Sequence, residues 1–347
     1  MFFASDNAGP AHPAILSALG AANTGFASGY GADPLTIAVT QQLREIFEAP
    51  EASVHLVATG TAANALALAT LANPWDTIFC TPDAHIQQDE CNAPEFFAGG
   101  AKLTLVGTGD KLTPDTLRTA VAAEQSRGVH GPQRGPVAIT QATERGRIYS
   151  VAEITELTAV AREFGIPAHL DGARFANALV ALNCTPADMT WRAGVDAVSF
   201  GGTKNGCLGV EAVIFFDPAR AWEFELRRKR GAHLFSKHRF LAAQMQAYLT
   251  DGLWLDLARR ANASMARLAD GLRGIEGVRF TAEPQANMLF PEIPRHMHDR
   301  LQAAGAVYYL WDGAETGAPE DRLTLRLVTD WSLPEAEIDR FLSLARG

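Results

Sequence analysis

Short apolar runs alternate with longer amphipathic segments through the first two thirds of the chain. Residues 53–58, 77–80, 103–106, 137–140, 166–170, 197–200 and 212–216 read as strands, and the apolar spacing over 61–71, 113–123, 151–164 and 219–230 is helical. This alternation predicts an α/β fold whose mostly parallel seven-stranded sheet is buried on both faces. Beyond a long helical stretch at 235–274 the pattern changes. Strands at 278–280, 287–290, 307–310 and 323–327 surround a helix near 295–304 and precede a last one at 334–345. The expected organisation is a large domain over 1–246, with its N-terminal segment, and a smaller α+β domain over 247–347.

Sheets of this kind bind ligands at the carboxyl ends of their strands. Two residues expected there are Asp171, in His169-Leu170-Asp171-Gly172-Ala173-Arg174, and Lys204, in Gly201-Gly202-Thr203-Lys204-Asn205-Gly206. Together they suggest pyridoxal phosphate. A lysine flanked by small residues can approach a cofactor aldehyde, and its neutral amine is the nucleophile that bonds to it. A strand-end aspartate can keep the pyridine nitrogen protonated, so that the ring accepts electrons from a carbanion. Each half alone is weak, since a lysine among glycines is more often a solvated loop residue and a strand-end aspartate more often a helix cap.

Other residues fit the same picture. Ala58-Thr59-Gly60-Thr61-Ala62-Ala63-Asn64 ends a strand and opens a helix. Gly60, the Thr61 hydroxyl and the free amides there suit a phosphate; an ordinary N-cap is the competing reading. His85 follows the next strand and could stack on a pyridine ring and meet a substrate hydroxyl, against the alternative of a satisfied surface histidine. Arg174 lies three residues past Asp171, and Arg326 is a charge inside the apolar strand Leu323-Thr324-Leu325-Arg326-Leu327. A substrate carboxylate matches the two-pronged donor geometry of Arg326, and an internal ion pair competes for it.

Composition narrows the classes. A formal charge of −9 over 347 residues argues against a nucleic-acid partner. Cys80, Cys91, Cys184 and Cys207 are scattered without metal-ligand spacing, which suits buried, reduced thiols, and no metal is expected. No apolar stretch approaches a membrane span and the N-terminus lacks a basic-then-apolar leader, so the expected setting is cytoplasmic, without a membrane partner. No GxGxxG follows an early strand, which disfavours a dinucleotide enzyme.

Taken in order, Ser5-Asp6-Asn7, Tyr30-Gly31-Ala32-Asp33-Pro34, Thr59 to Asn64, His85, Asp171 to Arg174, Lys204, Arg228-Lys229, Asn287-Met288-Leu289-Phe290 and Arg326-Leu327-Val328-Thr329 give the chain a family likeness. It resembles, nearly end to end, the low-specificity L-threonine aldolases of the β-eliminating lyase group, pyridoxal phosphate enzymes of the aspartate aminotransferase fold (fold type I). The resemblance implies that Lys204 carries the cofactor as a Schiff base and that Asp171 pairs with its ring nitrogen. Gly60 and Thr61 would bind the phosphate, and His85 would stack on the ring; for the implied reaction His85, directly or through water, is the candidate base. Ser5, Arg174 and Arg326 would hold the substrate carboxylate, with Arg174 shared with the cofactor. Tyr30 and Lys229 look like residues that reach a neighbouring subunit's site, which implies a homodimer or homotetramer. The family's second active-site histidine matches His130, and its frequent Glu-Asn-Thr-His stretch reads Gln141-Ala142-Thr143-Glu144 here. The implied activity is retro-aldol cleavage of L-β-hydroxy-α-amino acids to glycine and an aldehyde. Alternatives are another reaction of the same cofactor, such as β-elimination, and a catalytically silent ligand-binding member of the fold.

Overall fold

Seven strands form the central sheet of a computed structural model, which describes residues 1–314 and 316–347. They are β1 (Ser53–Val57), β2 (Asp76–Cys80), β3 (Lys102–Leu105), β4 (Gln133–Thr140), β5 (Ala168–Gly172), β6 (Ala197–Gly201) and β7 (Glu211–Phe215), in the order β1-β7-β6-β5-β4-β2-β3. All are parallel except β7, which pairs antiparallel with both β6 and β1. β2, β5, β6 and β7 are buried at every position, as expected of strands covered on both faces.

Two helices precede the sheet, α1 (Pro13–Ala22) and α2 (Pro34–Ile46). The connections carry α3 (Gly60–Leu71), α4 (His85–Gln88), α5 (Ala93–Phe97), α6 (Pro114–Ala123), α7 (Val151–Glu163), α8 (Phe175–Leu182) and α9 (Pro186–Met189). After β7 come α10 (Ala221–Arg230), α11 (Arg239–Leu249) and α12 (Leu253–Arg273). The helical stretch expected over 235–274 is thus two helices. They break where Asp251 and Gly252 take left-handed backbone, at φ 53° and 71°.

The C-terminal part holds β8 (Arg279–Phe280), β9 (Met288–Leu289), β10 (Pro291–Pro294), β11 (Tyr309–Asp312) and β12 (Arg322–Val328), with α13 (Arg295–Ala303) and α14 (Glu335–Arg346). Its strands pair antiparallel around β12 and β10. The N-terminus joins them: Phe3 N–H donates to Val307 O at 2.7 Å, and Val328 N–H to Phe3 O at 2.8 Å.

There are two main cores. One packs helices against the central sheet, and the other gathers Phe3, Leu268, Leu289, Ile293, Leu325 and Phe341. The division expected at 246 falls inside α11, whose apolar face lies wholly in the first core. Both cores include residues of α12: Trp254, Leu257 and Ala258 belong to the first, and Met265, Leu268, Ala269 and Leu272 to the second. Spacings of three and four residues keep this stripe on one face. Among the described residues no helix is long and apolar enough to cross a membrane.

Candidate active site

The carboxyl ends of β1, β2, β4, β5 and β6 share one edge of the sheet. A cavity of about 480 Å³ opens there, lined among others by Thr61, Asn64, His85, Asp171, Lys204 and Glu211. Sequence distance disappears at this edge because a parallel sheet returns every strand end to the same side.

Asp171, in the last turn of β5, is 4% exposed. Its Oδ1 accepts the Ala173 N–H at 3.1 Å and its Oδ2 accepts Asn64 Nδ2 at 2.9 Å. No cation lies within ion-pair distance among the described residues. The same Asn64 amide donates to Glu90 Oε1 at 2.9 Å, and that oxygen also meets His85 Nδ1 at 2.8 Å. Burial works against a charged His85, but the Glu90 hydrogen bond and the Asp171 charge outweigh it and raise the imidazole above its ordinary value. Beneath Asp171, His169 is wholly buried against Ser199 Oγ at 3.0 Å, and burial pushes it down to about 4.

Lys204 sits in the single turn Thr203–Asn205 that follows β6. Gly206, at φ 105°, lets the chain leave that turn in a conformation closed to other residues. The Lys204 amine has no hydrogen-bond partner among the described residues. Its turn is held from below by Glu211, whose Oε2 accepts the Gly202 N–H at 2.7 Å. Burial raises this carboxyl to about 7, against the hydrogen bonds it receives from Thr203 and Gly202. Glu211 reaches the site because β7 runs against its neighbours: its first residue, paired with Gly201, lies where their last ones do.

Thr59 caps α3 by accepting the Ala62 N–H at 3.2 Å, so the capping reading holds for Thr59 and leaves Gly60 and Thr61 facing the cavity. A Cβ at Gly60 would meet nothing within 4 Å.

At the side facing the second core, Arg326 is part-buried, donates to Ala4 O at 3.1 Å and has no carboxylate in ion-pair distance among the described residues. Burial, with the nearby Arg174 charge, lowers it from the ordinary arginine value. The internal ion pair weighed for Arg326 belongs instead to Arg174, whose Nε and Nη2 clasp Asp6 at 2.7 and 2.9 Å, both side chains buried. One edge of the Arg174 guanidinium is committed to Asp6, and its three other N–H bonds remain for another acceptor. Burial opposes the ionised Asp6, yet Arg174 and then Lys204 hold it below its usual value. Ser5 precedes Asp6 and turns its Oγ toward the Asn7 N–H at 3.1 Å.

Six expected residues are not in the lining of this cavity: Ser5, Arg174 and Arg326 gather around Asp6, next to the lining residue Asn7, and Tyr30, Lys229 and His130 lie elsewhere in the chain. Tyr30 is exposed, at φ 59°, and the Lys229 ammonium lies 4.6 Å from its ring centroid. His130 is exposed in the turn Gly128–His130, ahead of the amino end of β4. Eight residues of strand, roughly 23 Å, separate that end from the cavity edge, so His130 lies at the opposite end of β4 from the cavity of its own chain. Asn64, Glu90, Asp6 and Glu211 were missed as functional residues. The signal for Glu211 was a carboxylate opening an otherwise apolar strand.

These features fit pyridoxal phosphate: a buried carboxylate without a cation for the ring nitrogen, a lysine amine without a partner for the aldehyde, and an open helix start at Gly60 for the phosphate. Lys204, Asp171, Gly60, Thr61 and His85 are the residues that would hold it.

Comparison with known proteins agrees with this geometry. The family model described as beta-eliminating lyase matches residues 3–293. A low specificity L-threonine aldolase of Pseudomonas aeruginosa is 39% identical over 345 residues, covering 99% of this chain and 96% of that one. One from a Pseudomonas species is 38% identical, with 97% and 94% covered. The solved structure of Leishmania major threonine aldolase superposes with a TM-score of 0.92 at 29% identity, covering 99% of this chain and 98% of the other. A Sphingomonas wittichii serine palmitoyltransferase, 16% identical, matches with a TM-score of 0.72 over 100% and 86%, a likeness of fold alone.

Proposed function

The chain belongs to the beta-eliminating lyase family, and on that premise we propose that it cleaves L-β-hydroxy-α-amino acids of the threonine, allo-threonine and phenylserine type into glycine and an aldehyde by a retro-aldol reaction. The observation that carries this reading is the meeting, in one cavity, of an unpartnered lysine amine and a buried aspartate without a cation. Pyridoxal phosphate bound there supplies an electron sink for the pair left on Cα when the bond to Cβ breaks.

The chain's own groups do the rest. Lys204 binds the cofactor aldehyde and Asp171 holds a proton at the ring nitrogen. Thr61 and the free amides of the α3 start bind the phosphate. Arg326, with Ser5 and the free Nη1 of Arg174, grips the substrate carboxylate and so selects which bond at Cα is broken. His85 Nε2 takes the proton from the β-hydroxyl as the aldehyde forms. The active unit is a homodimer or homotetramer in the cytoplasm, with Tyr30 and Lys229 reaching the neighbouring copy's site.

The test is to incubate the purified holoprotein with L-threonine, L-allo-threonine and L-phenylserine and to quantify glycine and aldehyde. Equimolar glycine and acetaldehyde or benzaldehyde are expected. A 2-oxo acid with ammonia would overturn the reading in favour of elimination, and no product from any of the three would favour a silent member. Lys204→Ala is expected to abolish both turnover and the visible absorbance of the lysine-bound cofactor.

A further inference from the structure

The proposed reaction asks one imidazole to accept a proton at one particular nitrogen, and His85 does not settle that by itself. Neutral histidine has two tautomers of similar energy, and the partner of one nitrogen decides which the other presents. Here Nδ1 faces Glu90 Oε1 at 2.8 Å. The Glu90 side chain is fully buried, a costly position for a carboxylate unless its charge is used. The chain bends sharply to put it there, because the next two residues, Cys91 and Asn92, both have left-handed backbone, at φ 49° and 60°. Consecutive non-glycine residues in that region store strain that surrounding structure must hold in place.

Glu90 Oε1 is shared. Asn64 Nδ2 donates to it and to Asp171 Oδ2, each at 2.9 Å. Only an amide nitrogen carries two protons for two carboxylates, so this contact fixes which way the Asn64 amide faces. The result is a continuous line from His85 through Glu90 and Asn64 to Asp171, built from two helices, one loop and a strand end.

Resting on the aldolase reading, we propose that Glu90 is a positioning residue of this site: it holds His85 with the proton on Nδ1 and Nε2 open to the cavity, and through Asn64 it ties the charge of that imidazole to Asp171. The groups facing His85 are Glu90 from the loop after α4, Asp171 from β5, Glu144 from the loop after β4, and Lys204 from the turn after β6. Glu90, Asp171 and Glu144 favour the imidazolium, while burial and Lys204 oppose it. Removing the Glu90 charge therefore moves His85 titration to lower pH.

Two measurements test this. In the unaltered protein, with and without cofactor, the nitrogen chemical shifts of His85 should report the tautomer protonated at Nδ1; protonation at Nε2 would overturn the proposal without any variant being made. In Glu90→Gln, which keeps the shape of the side chain, His85 should titrate about one pH unit lower, a tenfold change in its protonation equilibrium. The acid limb of the kcat profile should move down by the same amount, with kcat reduced roughly 10- to 100-fold and KM for the amino acid nearly unchanged. A purely structural Glu90 would leave titration and acid limb in place and change only the melting temperature, and that result sinks the idea. The tautomer and the titration are read without substrate, so failure to form glycine and aldehyde would count against the aldolase reading and not against this one.

Discussion

Arg326 lies inside an apolar strand, and among the described residues its guanidinium donates only to a backbone oxygen and a thioether sulfur, Met288 Sδ at 3.8 Å. A charge held this way stabilises little by itself and is ready for an anion. Arg326→Ala is expected to raise KM for the amino acid about 10- to 100-fold, the equivalent of about 1.5–3 kcal/mol for charge-assisted hydrogen bonds, with a small effect on melting temperature. Unchanged KM with a fall in melting temperature would assign Arg326 a structural part instead. Lys204 and Asp171 could be read from the sequence because small residues and strand ends mark them locally. Asp6, Asn64 and Glu90 could not. Asp6 meets Arg174 across 168 positions and Asn64 meets Asp171 across 107, so nothing near them in the chain announces the partner.

At the level of elements, the alternation of apolar runs anticipated every strand of the central sheet to within a few residues, most directly β2, β5, β6 and β7, whose burial on both faces leaves an uninterrupted apolar signature. It could not reveal that β7 runs backward, since direction is set by connection length and packing and not by side-chain pattern. That reversal brings Glu211 under the Lys204 turn, and a consequence follows for stability. Glu211 keeps its proton to about 7 in the fold, whereas a free glutamate loses it near 4.5. The folded pKa is raised, so this group's favourable contribution is complete below about 4.5 and is lost as pH rises through about 7. Glu211→Gln should flatten that dependence: measured against the unaltered protein, its melting temperature should gain most between pH 5 and 8. A constant offset across that range would mean that Glu211 is ionised in the fold throughout. The helix α2 carries its start in its sequence, since Asp33 caps it and Pro34 occupies its first turn.

For the whole molecule, Tyr30 and Lys229 pose the question of how many copies make one site. They pack on each other and do not line the cavity of their own chain. Their surroundings are well fixed: Tyr30 N–H donates to Ser236 O at 3.1 Å, and Arg228, beside Lys229, is buried between Leu56 O and the Glu225 carboxylate. Phe26 and Phe235 are also exposed on the segments that flank them, apolar groups that a contact between copies would cover. In a two-fold dimer each copy would lend these residues to the other's cavity. Co-expression of a Lys204→Ala chain with a Tyr30→Ala chain separates the possibilities. If sites are shared, the mixed dimer contains one site with its own Lys204 and the partner's Tyr30 intact, and activity should return to about a quarter of the unaltered level even though each variant alone is impaired. If each chain is self-sufficient, mixing restores nothing beyond the sum of the two parents, and Tyr30 and Lys229 serve only the surface on which they lie.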